Sequence, residues 1–321
     1  MAVLPLLIGI AATAGSAPMP SLDAATGWLN TSGLGAESLR GKVVLVDFWT
    51  YSCINCLRTL PYVKAWAGKY RAAGLVVVGV HTPEFDFEQQ PDNVLRAVKE
   101  LGIGYPVALD SRRAIWRAFG NRAWPALHFV DAEGRIRHRQ YGEGGYAEAE
   151  RLIQQLLKEA GHGDRVPAGL VAPQGEGTQA APAPVPADSE ETYLGRARAS
   201  GFVAAGRTLR ANEWTLSGAW QVDDEYALGR QAGGRIVYRF RARDLHLVLG
   251  SDNGRPIRFR VRIDGRAPGV DHGADTDAEG RGTVDAQRLY QLVRQASGGA
   301  ERTFEIEFLD AGVRAYAFTF G

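Results

Sequence analysis

At 321 residues, 45% of them hydrophobic, the chain has ordinary globular composition and enough length for two domains. Lysine plus arginine (37) nearly balance aspartate plus glutamate (36), which leaves no electrostatic footprint for nucleic acid or an acidic membrane surface. The only two cysteines, Cys53 and Cys56, can neither build a disulfide framework nor fill a tetrahedral zinc site, and the six histidines show no ligand-like spacing, so no metal is expected.

The chain starts with an apolar run, residues 2–14, followed by small residues up to Ala17. Residues 1–20 read as a signal-like or anchor segment, and the run is shorter than the roughly 20 residues that span a bilayer. No lysine or arginine precedes Arg40, which departs from the usual secretory pattern; a misassigned start or the tail of a longer membrane segment are the other readings. Export to the periplasm or cell envelope, secreted or membrane-anchored, is the expectation.

From residue 21 to 162 strand and helix patterns alternate. "KVVLVDFW" is a short β-branched run suited to a strand buried on both faces. Ile54, Leu57 and Leu60 recur at helical spacing, "LVVVGVH" is a second buried strand, and "DNVLRAVKELG" is a helix stopped by Gly102. "PVALD", "RRAIWRAFG", "ALHFVD", "EGRIRHRQYG" and "YAEAERLIQQLLKEAG" follow as strand, helix, strand, strand and helix. The order predicts an α/β domain with a central mixed sheet.

Residues 163–192 are dominated by proline, alanine and glycine and read as an extended, fairly stiff linker. Beyond it the period changes to two. Ile257, Phe259, Val261 and Ile263 alternate with arginines, Leu245, Leu247 and Leu249 alternate with His246 and Val248, and Phe304, Ile306 and Phe308 alternate with glutamates. Residues 193–321 are therefore predicted to be an all-β antiparallel sandwich, jelly-roll-like, with "DAQRLYQLVRQA" as its one helical-looking stretch.

The chemistry concentrates in "FWTYSCINCLRTLP", residues 48–61. Cys53 follows a buried strand and opens a helix, where backbone N–H groups and the helix dipole stabilise a thiolate. Cys56 lies one turn on, within reach for a small redox-active ring, whereas a purely structural disulfide closing so short a loop adds little stability. A dithiol/disulfide exchanger is the expectation: Cys53 attacks, and Cys56 resolves.

Residues 27–61, with their "LRGKVVLVDFW" strand, Cys-x-x-Cys pair and Pro61, resemble the thioredoxin superfamily, and more closely its extracytoplasmic TlpA-like branch. The resemblance extends over roughly residues 25–160. It implies that Asp47 moves the proton of Cys56, that Glu84 in "HTPEF" shares that acid/base role or is an ordinary loop residue, and that Trp49, Trp124 and the cis-proline position Pro125 form the substrate-binding surface. It implies no cofactor beyond the Cys53–Cys56 disulfide and favours a reductant over an oxidant. Ile54-Asn55 between the cysteines, where glycine-proline is common, leaves the potential open.

Together with "GVHTPEF" and a sandwich containing "LSGAWQVDDEYA", the site resembles the soluble portion of DipZ-type proteins. That resemblance implies disulfide-bearing protein substrates, a membrane electron donor of the CcdA/DsbD kind, a role in cytochrome c biogenesis or related thiol homeostasis, and a carbohydrate-binding-module-like sandwich.

The sandwich has no cysteine and is expected to take no part in electron transfer. Its aromatics, among them Trp214, Trp220, Tyr226, Tyr238 and Tyr290, either fill its core or serve cell-wall glycan, with Trp220 and Asp271 as candidate sugar contacts; Asp271, Asp275 and Asp277 offer a calcium alternative. Two other functions stay open: a glycan-binding protein with an accessory redox domain, and a thiol peroxidase, since Thr50 stands three residues before Cys53 although Val46 occupies the place of the proline that motif requires.

Overall fold

The computed structural model describes residues 17–184 and 187–321. The signal-like segment therefore lies outside the described residues except for 17–20. These run beside the first domain, where Met19 N–H donates to the Gly134 carbonyl (2.8 Å) and Ile136 N–H to that of Ala17 (2.8 Å). Among the described residues no helix is long and apolar enough to cross a membrane.

The first domain runs β1 (Gly27–Leu29), α1 (Ala36–Leu39), β2 (Val43–Trp49), α2 (Ile54–Tyr70), β3 (Leu75–His81), α3 (Pro91–Glu100), β4 (Val107–Leu109), α4 (Ala114–Ala118), β5 (Ala126–Val130), β6 (Ile136–Tyr141) and α5 (Tyr146–Glu159). Its sheet has the order β1-β4-β3-β2-β5-β6. The β2, β3 and β4 strands are parallel, and β1, β5 and β6 pair antiparallel. All seven residues of β2 are buried because helices cover both faces. Alternation sends Val43, Leu45 and Trp49 toward α2 and α5, and Val44, Val46 and Phe48 toward Ile115 and Phe119 on the other face.

The second domain runs β7 (Thr192–Tyr193), β8 (Trp214–Ser217), β9 (Trp220–Val222), β10 (Ala227–Gly229), β11 (Gly234–Arg241), β12 (Asp244–Ser251), β13 (Ile257–Ile263), β14 (Arg281–Val284), β15 (Arg288–Arg294), β16 (Glu301–Phe308) and β17 (Val313–Phe320). It is an antiparallel sandwich of one sheet ordered β15-β12-β17-β10-β9, with β7 on β17, and a second ordered β14-β13-β16-β11-β8. The second sheet keeps its alternation: Arg262 pairs with Glu305 (2.9 Å) and Arg235 with Glu307 (3.0 Å) on its outer face.

The first sheet departs from the expected one-sided pattern. Its outer face is covered by the α/β domain, so Val248, Leu289, Tyr316 and Ala317 share one apolar cluster with Tyr51, Leu57, Phe85 and Phe87. His246 and Val248, expected on a polar face, are buried. The same cover explains why 285–296 is not a helix. Residues 289–293 of β15 are buried on both faces, Leu289 against the α/β domain and Tyr290 and Leu292 inside the sandwich, so no period-two signal survives. The described linker is fastened at intervals. The Gly169 carbonyl accepts from Lys69 Nζ (2.6 Å) and Gln154 Nε2 (2.9 Å), and Val171 N–H donates to Glu150 (2.8 Å).

Candidate active site

Cys53 is the N-cap of α2, with extended backbone, and its Sγ accepts from the Cys56 N–H at 3.2 Å. The two cysteines are free thiols here; Cys53 is half-buried and Cys56 buried. Burial above all, and then the neighbouring Cys53 and Asp47, hold the Cys56 thiol well above its ordinary value. Pro61 lies inside α2, eight residues after Cys53.

Asp47 sits in β2 on the face turned to α2, opposite Gly79 of β3 and Leu127 of β5. Its Oδ1 has no hydrogen-bond partner, and burial pushes its carboxyl up to about 7. A carboxyl near neutrality beside a buried thiol is suited to take that thiol's proton. The space around it depends on glycine at position 79, where a Cβ would come within 3.0 Å of Trp49 Nε1 and 3.1 Å of Tyr105 Cε2. Tyr105, unmarked by any sequence motif, is buried with its hydroxyl unpartnered, and Asp47 and Cys56 both add to the burial that raises its pKa.

Trp49, expected at the substrate-binding surface, is only 2% exposed and edges against His81 in the core, so it does not reach substrate. His81 is a satisfied core residue. It stacks on Tyr51, its Nε2 lies 3.2 Å from the Thr50 hydroxyl, and burial lowers it to about 3.

A second buried carboxylate, Glu88, was not found from the sequence. Its Oε1 accepts from the hydroxyls of Thr50 (2.5 Å) and Ser52 (2.6 Å), and its Oε2 from the N–H groups of Glu84 (2.6 Å) and Phe85 (3.1 Å). Burial raises it to about 6. It thus pins the approach to Cys53 against the 84–88 turn. The available sign was the pair of hydroxyls flanking Tyr51 with no partner in their own segment. Thr50, the residue that suggested a peroxidase motif, gives its hydroxyl to Glu88.

Trp124 and Pro125 are joined by a cis peptide bond just before β5. The Trp124 indole donates to the Thr82 carbonyl (3.0 Å) and packs against Trp116 at 4.2 Å between ring centres. Trp124 and Cys53 line one cleft of about 360 Å³, and Glu84 lines it too. The opposite wall comes from the end of the linker, Glu191, and from the sandwich, Tyr193, Arg198 and Phe320. The sandwich, which has no cysteine, thus forms one side of the cleft over Cys53.

The two candidate sugar contacts are not brought together. Trp220 belongs to the edge strand β9, where it lies on Gly234 and donates to the Ser217 carbonyl (2.9 Å). Asp271 accepts from Ala296 N–H (2.8 Å) just past β15, the opposite edge of the same sheet. Trp214, Tyr238 and Tyr290 are core residues. Asp275 and Asp277 accept from the N–H groups of Gln291 and Arg281 respectively, and no group of three or more metal-ligating side chains occurs among the described residues.

An α/β sheet of this order, with a cysteine pair at the start of its first long helix and a buried acid beneath it, defines a thioredoxin-like protein. Residues 13–153 match the family described as Redoxin, and residues 189–321 the one described as Thioredoxin like C-terminal domain. Thiol-disulfide oxidoreductase YkuV of Bacillus subtilis is 32% identical over 142 residues, covering 44% of this chain and 95% of YkuV. Protein DipZ of Mycobacterium bovis is 40% identical over 246 residues, covering 72% of this chain and 35% of DipZ, so the chain spans about a third of that relative's length. The chain belongs to the thioredoxin-like thiol-disulfide oxidoreductases.

Proposed function

We propose that the protein is a disulfide reductant acting outside the cytoplasm through Cys53 and Cys56. The observation that carries the exchange chemistry is the buried Asp47 carboxyl, held up to about 7 beside a Cys56 thiol that burial keeps protonated; the reducing direction is the one the TlpA-like resemblance implies. In the proposed cycle the Cys53 thiolate attacks a substrate disulfide sulfur, and the departing thiolate takes up a proton. Asp47 then accepts the Cys56 proton, and the Cys56 thiolate attacks Cys53 sulfur, closing the ring and releasing the second substrate thiol. Cys56→Ser should accumulate a covalent substrate adduct on Cys53, and Cys53→Ser none. Faster alkylation of Cys56 than of Cys53 near neutral pH would reverse the assignment.

We further propose, from the resemblance of the site to DipZ-type proteins, a membrane electron donor of the CcdA/DsbD kind and, among substrates, apocytochromes c with oxidised haem-attachment cysteines; the match to DipZ supports action outside the cytoplasm. Removing that donor should shift the cysteine pair in cells from dithiol to disulfide, read by thiol trapping and gel mobility. An unchanged ratio would sink this part of the proposal.

A further inference from the structure

The cleft over Cys53 is built by both domains, and its sandwich wall is charged. The Tyr193 hydroxyl stands between two carboxylates, 2.6 Å from Glu84 Oε1 and 2.8 Å from Glu191 Oε2. Arg198 donates to Glu84 (3.1 Å) and lies over the Tyr193 ring at 3.6 Å. The Glu84 side chain is 8% exposed and Arg198 43%, so this ion pair closes the inner part of the wall and spends the one guanidinium there. Glu191 is exposed, at the mouth, without a cation of its own within bonding distance. Arg58 of α2 is buried and paired with Glu143 and Asp244, and Arg113, 5.3 Å over the Trp124 ring, donates to the Pro83 carbonyl (2.6 Å), so neither lines the cleft.

Burial and the neighbouring Glu84 charge push the Glu191 carboxyl up to about 7, so above that pH two carboxylates against one guanidinium leave a surplus negative charge beside the reacting sulfur. The cleft is also small. About 360 Å³ accommodates a sulfur with its flanking groups and not a broad protein surface.

Building on the reductase reading, we infer that Glu191, with Glu84 and Arg198, is a charge filter built jointly by the linker end, the α/β domain and the β-sandwich, and that the cleft takes disulfides flanked by ammonium or guanidinium groups. Such a disulfide is carried either by a small molecule or by an extended peptide segment with lysine or arginine next to its cysteine. Each turnover moves two electrons and two protons from the Cys53/Cys56 dithiol to the substrate disulfide. One protein disulfide and two substrate thiols result, so the filter changes the rate and not the balance.

The test, run at pH 8 where Glu191 is ionised, uses the full chain in its dithiol form and three small disulfides of equal reach: cystamine (cationic), bis(2-hydroxyethyl) disulfide (neutral) and dithiodipropionate (anionic). Each rate is divided by that of dithiothreitol with the same disulfide. The wild type should reduce them in the order cationic, neutral, anionic. Glu191→Gln should compress the cationic-to-anionic ratio by about two- to fivefold, the range of a solvent-exposed charge pair. Arg198→Gln should widen it, and added salt should shrink it in the wild type. A parallel pair of disulfide-linked peptides with lysine or glutamate beside the cysteine separates the two sources: a lysine preference larger than cystamine's assigns the peptide, a smaller one the small molecule. Equal normalised rates for all three disulfides, or a ratio that Glu191→Gln leaves unmoved, would overturn the inference alone. Failure of the wild-type dithiol to reduce even the neutral disulfide would instead overturn the reductase reading, and the filter with it.

Discussion

Asp47 is expensive to keep where it is. Its carboxyl rises from 3.8 to about 7 because burial disfavours the anion. Between those two pH values the native protein binds more protons than the unfolded chain, so this residue makes stability fall as pH rises through the window. Above pH 7 the cost is about 4 kcal/mol, one pK unit being about 1.4 kcal/mol. Asp47→Asn should therefore gain stability relative to the wild type as pH rises from 4 to 8, measured by urea unfolding at each pH. The same variant should lengthen the life of the mixed disulfide roughly a hundredfold, the worth of a positioned general base. A variant that is less stable at pH 8, or that resolves its adduct at the wild-type rate, would contradict the assignment.

At the scale of elements, the strand–helix junction that presents Cys53 is held by a residue far along the chain. Glu88 gathers five donors from two segments, and its two oxygens serve different segments. In Glu88→Gln one oxygen becomes an NH2, and whichever set of donors it faces loses its acceptor. The expected loss is about 1–3 kcal/mol, the cost of leaving buried polar groups unpaired, seen as a lower urea midpoint with unchanged slope. An unchanged midpoint would show that the network is not needed to hold the junction.

Elements also mark where sequence reading worked and where it stopped. The β2 strand and the start of α2 were legible because local signals agree: a β-branched run, a cysteine pair at fixed spacing and a helical repeat after it. β15 was not, because its second face is buried by a domain more than a hundred residues away, and that contact erases the alternation a strand needs to be recognised. Trp49 was misplaced for a related reason: its motif gives its position beside the cysteines, while strand parity turns its ring into the core. Glu88 was missed because its partners, Thr50 and Ser52, are more than thirty residues away in sequence.

On the scale of the whole molecule, the two domains behave as one packed body at the site. Phe85 and Phe87 of the 84–88 turn lie against Tyr316 of β17, with ring centres 5.2 and 4.9 Å apart. Arg58, five residues after Cys53 and on the same helix, reaches Asp244 of β12 at 3.4 Å. Asp244 is also held by Arg243 (2.8 Å) and Arg294 (2.9 Å), so Arg58→Met leaves it paired. The expected loss is then about 1–3 kcal/mol, below the range for breaking a lone buried pair. It should fall on the contact between domains, so that a single unfolding transition becomes broader or splits, as tryptophan fluorescence in guanidinium would report. A sharp single transition at the wild-type midpoint would show that apolar packing alone couples the halves.

The shared cleft has one more consequence. A substrate seated on Cys53 touches walls that belong to separate folding units, so it acts as a removable crosslink between them. Ligand that binds only the joined form raises the stability of the junction by mass action. By the same linkage, any change that loosens the junction weakens the hold on substrate.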